Sequence, residues 1–127
     1  MIDNYCDISY FENLYKQKDP YHTRDNVREL FRFSQSLALL EKTHFKIALD
    51  LGTGEGFLLS RLAEFSDMVV GIDCSMNALK RAKQHNDNGK VGQDFSLAFR
   101  KPKGLPYLIM GDIRKLPLKN EIIDLVV

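Results

Sequence analysis

Apolar positions recur along this chain with two different periods, and the switches between them mark its elements. From Val27 onward, Leu30, Phe31, Leu37, Ala38 and Leu40 fall at helical spacing with Arg, Glu and Gln between them. That pattern predicts a helix from about Arg24 to Lys42, with Pro20 and Thr23 marking its approach. KIALDL (46–51) is instead a short, nearly continuous apolar run that ends at glycines, as a strand buried on both faces would. Leu58, Leu62 and Phe65, widened by Leu59 and Ala63, predict a second helix over 56–65. MVVGID (68–73) reads as another buried strand, and Ser75 supplies an N-cap for a helix through Met76, Leu79 and Ala82 to about His85.

Residues 88–104 lose any steady period and carry three glycines, a proline and the basic cluster Arg100, Lys101 and Lys103, so a surface excursion is expected there. PYLIM (106–110) reads as a third strand, GDIRKLPLKN as a turn-rich connection and EIIDLVV (121–127) as a fourth strand. Strand and helix alternate, which predicts an α/β protein with a doubly wound parallel sheet and right-handed crossovers.

Composition narrows the setting. The 127 residues are 44% hydrophobic and 28% charged, enough for one globular domain and no more. A formal charge of +1 gives no general reason to expect nucleic acid or an anionic membrane as partner. The acidic, aromatic start MIDNYCDISYFENLYKQKD is unlike a signal peptide, and no window approaches the apolar length of a membrane span. Two cysteines, Cys6 and Cys74, are too few for a disulfide framework and lack metal-ligand spacing. A cytoplasmic setting is expected. His22, His44 and His85 are scattered and are expected on the surface.

The chemistry concentrates in ALDLGTGEGFLL (48–59). A dinucleotide fingerprint would need a glycine at the sixth position, but Phe57 stands there counting from Gly52 and Leu59 counting from Gly54. A phosphate-binding P-loop is excluded because no Gly-Lys-Ser/Thr follows. Glu55 moreover puts a carboxylate in the loop, where it would repel a pyrophosphate. A cationic ligand without phosphate suits such a turn better, and S-adenosyl-L-methionine, with its sulfonium and ammonium, meets that description.

These residues also carry a family resemblance. Asp50-Leu-Gly52-Thr-Gly54-Glu-Gly56 resembles the acidic-x-Gly-x-Gly-x-Gly signature of class I S-adenosylmethionine-dependent methyltransferases. VVGIDCSMNALKRAK resembles that family's second strand and GDIRKLPLKNEIIDLVV its third-strand acid followed by the fourth strand. LYKQKDPYHTRDNVREL is similar to the nodulation-type N-methyltransferase subgroup, in which an Asp-Pro-aromatic segment precedes the first helix. The resemblance implies a Rossmann-like sheet, here partial with strand order 3-2-1-4, preceded by an N-terminal helical arm over 1–44. Residues 45–127 would form the cofactor-binding half.

Site residues follow from the same reading. Asp73 would bind the ribose hydroxyls, the alternative being a plain cap of the following helix. Asp50 would lie near the methionine end of the cofactor, or else bond loop amides only; a buried carboxylate there needs donors or a cation in either case. Gly52, Thr53, Gly54 and Gly56 would form the turn against the cofactor, unless the glycines serve the turn alone. Asp112 would accept from the adenine amino group, with Ile113 supplying a backbone amide and an apolar face, unless Asp112 is a solvated turn acid. Cys74 lines the same edge, or is a small buried filler, and Tyr21 either folds over the cofactor or anchors the arm.

In the resembling family the sheet has seven strands and the acceptor pocket is built largely after the fourth. The chain is therefore expected to be a fragment or truncated form of a protein that transfers methyl to a small-molecule acceptor, itself the cofactor-binding half and short of the catalytic one, with no catalytic residue or metal ligand identifiable. Its fourth strand would be an exposed edge that a second copy or a partner could pair. Two other readings remain at this point: a non-catalytic adenosyl-binding or scaffolding module completed by a partner, and an NAD-linked dehydrogenase, disfavoured by the glycine spacing.

Overall fold

The computed structural model describes residues 7–23, 25–40, 42–86, 91–92, 106–116, 118–119 and 121–127. Among these residues nine elements follow in order: α1 (Ile8–Leu14), α2 (Val27–Ala38), β1 (Phe45–Leu51), α3 (Leu59–Leu62), β2 (Ser66–Asp73), α4 (Met76–His85), β3 (Val91–Gly92), β4 (Tyr107–Met110) and β5 (Leu125–Val126). All described strand pairs are parallel, and the sheet order is β3-β4-β2-β1-β5. The four strands read from sequence are β1, β2, β4 and β5, and they stand in the expected order 3-2-1-4. The fold is therefore a partial Rossmann-like doubly wound sheet.

Side chains on β2 and β4 alternate between two cores with the two-residue period of a pleated strand. Val69 and Leu108 join Leu37, Leu59, Leu62, Phe65, Leu79 and Ala82 on one face. Val70, Ile72, Tyr107 and Ile109 join Leu49 on the other, where Leu118, Ile122 and Ile123 cover them. Burial on both faces explains the continuous apolar runs in the sequence. Leu49 pairs with Val70, and Val70 with Tyr107, which brings the ends of β1, β2 and β4 to one edge.

Several boundaries differ from the periodic reading. α2 starts at Val27, where Asn26 caps it by accepting from the amides of Arg28 and Glu29; Arg24, the expected start, lies outside the described residues. The helix expected over 56–65 is only Leu59–Leu62, because the glycine turn extends through Gly56 and β2 already begins at Ser66. β5 shrinks to two residues, although Asp124 and Val127 still donate to Ile47 and Leu49. Two elements were not foreseen from the periodicity. α1 is capped by Asp7, which accepts from Ser9, and β3 pairs with β4 inside the stretch read as a surface excursion. The basic cluster at 100–103 lies outside the described residues.

Candidate functional site

The glycine turn leaves β1 and crosses the end of β2. Its frame is made of hydrogen bonds from its own amides: Gly52 and Thr53 donate to the Ile72 carbonyl at 2.8 and 3.0 Å, and Gly54 donates to Asp73 Oδ2 at 2.8 Å. Gly52, Gly54 and Gly56 all have positive φ, a region where a side chain is strained. Space is short as well at two of them. A Cβ on Gly56 would stand 2.9 Å from Ala82 Cβ, Asn86 Nδ2 and Leu59 Cδ1, and one on Gly54 would stand 2.6 Å from the Tyr15 hydroxyl. A Cβ on Gly52 would meet nothing within 4 Å, so that position opens onto free space.

That free space belongs to a cavity of about 600 Å³ between the turn, the 15–23 segment and α2. The size is ordinary for a small-molecule or cofactor site. Asp50, Gly52, Thr53, Gly54 and Tyr21 line it together, with Tyr15, Asp19, Glu55 and Val127 among their neighbours. Gly56, Asp73, Cys74, Asp112 and Ile113 do not line it. Asp73 is 6% exposed beside the turn, Cys74 is half-buried, and Asp112 and Ile113 lie on the same sheet edge beyond β4.

The three acids sit in different environments. Asp50 is buried, accepts from the Thr53 hydroxyl at 2.7 Å, and has its carboxyl pushed up to about 6 by desolvation. Asp73 accepts from Gly54 and from the Ser75 amide at 2.9 Å; burial raises its carboxyl, and these amide bonds oppose the rise. Asp112 binds Arg114 from its own turn, taking Nε and Nη2 as well as the Arg114 amide. Those bonds hold it down at about 2.

Glu55 requires a correction. The sequence suggested a carboxylate facing a ligand, but its side chain is 1% exposed and is neutralised by Arg81 at 2.9 Å. Oε1 also accepts from the Asp19 amide at 2.8 Å. The charge therefore serves the turn's connection to α4 and the arm, and exclusion of phosphate cannot rest on it. His85 is corrected too: it stacks on Phe57 with centroids 5.2 Å apart, and its Nδ1 is 2.9 Å from the Glu55 carbonyl. His44, by contrast, is exposed beside Asp67.

Two features escaped the sequence reading. Tyr15 is buried against the turn, where desolvation and the nearby Asp73 carboxylate raise its phenol. Arg81 donates to the Gln17 and Lys16 carbonyls at 2.7 and 3.0 Å besides binding Glu55. Neither has a local signal, because their partners are dozens of residues away in the chain. Among the described residues there is no group of three or more acidic, His or Cys side chains able to hold a metal, and no helix long and apolar enough to cross a membrane.

A parallel sheet in this order, with an acid-flanked glycine turn at its carboxyl edge, defines a nucleoside-cofactor type of α/β domain. The family model for the methyltransferase domain matches residues 49–127, and the chain belongs to that family. Among solved structures it is similar to the N-methyltransferase NodS from Bradyrhizobium japonicum WM9 in complex with S-adenosylhomocysteine. The TM-score is 0.70 at 23% identity, over 94% of this chain and 54% of that one. It is similar also to phosphoethanolamine N-methyltransferase 1 of Haemonchus contortus, in complex with phosphoethanolamine and S-adenosylhomocysteine, with a TM-score of 0.65 and 17% identity over 93% and 23% of the two chains. Magnesium protoporphyrin IX methyltransferase from Synechocystis PCC 6803, with S-adenosylmethionine bound, gives 0.57 at 18% identity over 98% and 57%. The chain thus spans about half the length of NodS. No curated protein matches it by sequence.

Proposed function

We propose that this chain is the S-adenosyl-L-methionine-binding part of a methyltransferase acting on a small-molecule acceptor. The observation that carries the reading is the cavity at the end of β1, where a turn of positive-φ glycines meets the buried carboxyl of Asp50. The residues fit such a cofactor in two respects. Gly52 leaves room for close approach of a bulky group, and Asp50 is an acid whose ionisation burial opposes, which a cation would favour. S-adenosyl-L-methionine, when bound, supplies an activated methyl group on a sulfonium.

The chain's own residues then act by holding and orienting, which is much of what an in-line methyl transfer needs. Asp50, with Thr53 fixing one oxygen, attracts the ammonium end. Gly52 and Gly54 keep the turn's backbone within reach of the ligand, and Gly56 closes the turn against α4. Asp73 uses only part of its accepting capacity on two amides, which leaves lone pairs for the ribose hydroxyls. Cys74 borders it, while Asp112 and the exposed Ile113 form the adenine edge. Tyr21 and the segment around it shield the cavity from water. Residues 45–127 form the cofactor half and 1–44 the covering arm; the setting is the cytoplasm, and β5 is where a further strand, from this protein or a partner, would pair.

Titration calorimetry with S-adenosylhomocysteine, with NAD and ATP as controls, tests the assignment. Saturable heat with the first and none with the others is expected. Heat with NAD or ATP alone would replace the reading with a different nucleotide site.

A further inference from the structure

Arg81 lies on α4, outside the cavity wall, yet three of its hydrogen bonds end on the two structures that make that wall. Nη1 bridges Glu55 of the glycine turn and the Gln17 carbonyl of the arm; Nη2 takes the Lys16 carbonyl. Its planar, always-charged fork suits such a junction in a way an ammonium does not. Glu55 extends the link, because the oxygen that receives Arg81 also accepts from the Asp19 amide, and the Asp19 side chain in turn accepts from the Thr23 amide at 2.7 Å.

α1 contains no fully buried residue; Phe11 and Leu14 are half-buried, and Tyr15 at its C-cap is buried. Polar bonds add to this packing: Glu12 accepts from the Ser75 hydroxyl and the Asn77 amide, and Arg81 holds the chain just after the helix. Those ties decide where Tyr15 and Tyr21 stand in the cavity wall. Glu55 Oε2 is buried and has no hydrogen-bond partner among the described residues, so Arg81 is the charge that makes this carboxylate tolerable inside the protein.

We propose that Arg81 is a positioning residue of the ligand cavity. By joining Glu55 to the Lys16 and Gln17 carbonyls, it makes the 15–23 strap and the glycine turn a single wall, and so sets ligand affinity from a position that touches no ligand. This rests on the cofactor reading above for the identity of the ligand, but not for the link itself.

The test uses the whole chain and three variants: Arg81→Met, Arg81→Lys, and Glu55→Gln combined with Arg81→Met. The double variant removes the stranded carboxylate and so keeps the proposal testable if the single Met variant does not fold. Amide exchange at Asp19 and Thr23 is expected to accelerate at least tenfold in the Met variants, while amides of β1 and β2 keep their protection. S-adenosylhomocysteine affinity is expected to weaken tenfold or more, with Arg81→Lys between wild type and Met. A double variant that binds like wild type, or whose Asp19 amide stays protected, overturns the proposal. If wild type itself takes no S-adenosylhomocysteine, the ligand assignment falls, and the exchange result still decides whether Arg81 fastens the strap.

Discussion

Asp50 and Asp112 both lie where a strand runs out at the same edge of the sheet, and they are perturbed in opposite directions. Asp50 ends a strand buried on both faces, so desolvation governs it and its carboxyl rises to about 6. Asp112 follows β4 into an exposed turn, where Arg114 reaches back and holds it near 2. Burial sets the first acid and an arginine sets the second. The same residue type at the same edge is therefore set by two different environments, and under the proposed function the first faces the ammonium end of the cofactor and the second its adenine edge.

The sharpest way to break the comparison is to damage the buried side. Gly56→Ala would force a Cβ against three atoms at 2.9 Å in a left-handed conformation, and these atoms belong to α4, its C-cap Asn86 and α3. We expect a loss of about 2–4 kcal/mol in unfolding free energy, read by chemical denaturation. A loss below about 0.5 kcal/mol would mean that the turn is softer than its packing implies.

Next in size is the pH dependence of Asp50. Its folded carboxyl stands above the unfolded value of 3.8, so between about pH 4 and 6 the folded chain holds a proton that the unfolded chain has released. Stability therefore falls as pH rises through that window and is level above it, by on the order of 3 kcal/mol for this group. Asp73 is shifted the same way, so Asp50→Asn should remove part of the slope, measured by denaturation at pH 4, 5, 6 and 7. A cation bound beside Asp50 favours its ionised form, so S-adenosylhomocysteine should bind more tightly as pH rises towards 7, and Asp50→Asn should flatten that trend.

A smaller effect is expected on the exposed side. Asp112→Asn should leave the melting temperature unchanged and weaken S-adenosylhomocysteine binding only a few-fold, by calorimetry. A loss as large as that from Asp73→Ala, for which we expect tenfold to a hundredfold, would erase the distinction between the two edges.

What the sequence made legible follows the same division. KIALDL, MVVGID and PYLIM announced strands because burial on both faces leaves continuous apolar runs, and Ser75 announced its helix because an N-cap is a local device; its hydroxyl does accept from Ala78. The glycines were legible as a turn because their backbone needs them. α1 went unread although Asp7 stands as its cap and Ile8, Phe11, Leu14 and Tyr15 fall at helical spacing; it is a seven-residue helix with no fully buried position, so its signal is short and weak. The turn's carboxylate was legible but its partner was not: Glu55 and Arg81 are 26 residues apart, and only the fold brings them together. Asp112 read as an adenine acceptor or a solvated turn acid and Asp73 as a ribose acceptor or a helix cap, and only the structure shows that Arg114 binds the first while backbone amides hold the second.

The central claim is that the cavity at the end of β1 receives an adenosyl sulfonium compound across the glycine turn. The direct measurement is a crystal structure grown with S-adenosylhomocysteine. We expect density running past Gly52 and Gly54, with the amino group beside Asp50 and the ribose at Asp73. Density confined elsewhere, or a diphosphate lying across the turn in competition crystals with NAD, would contradict it.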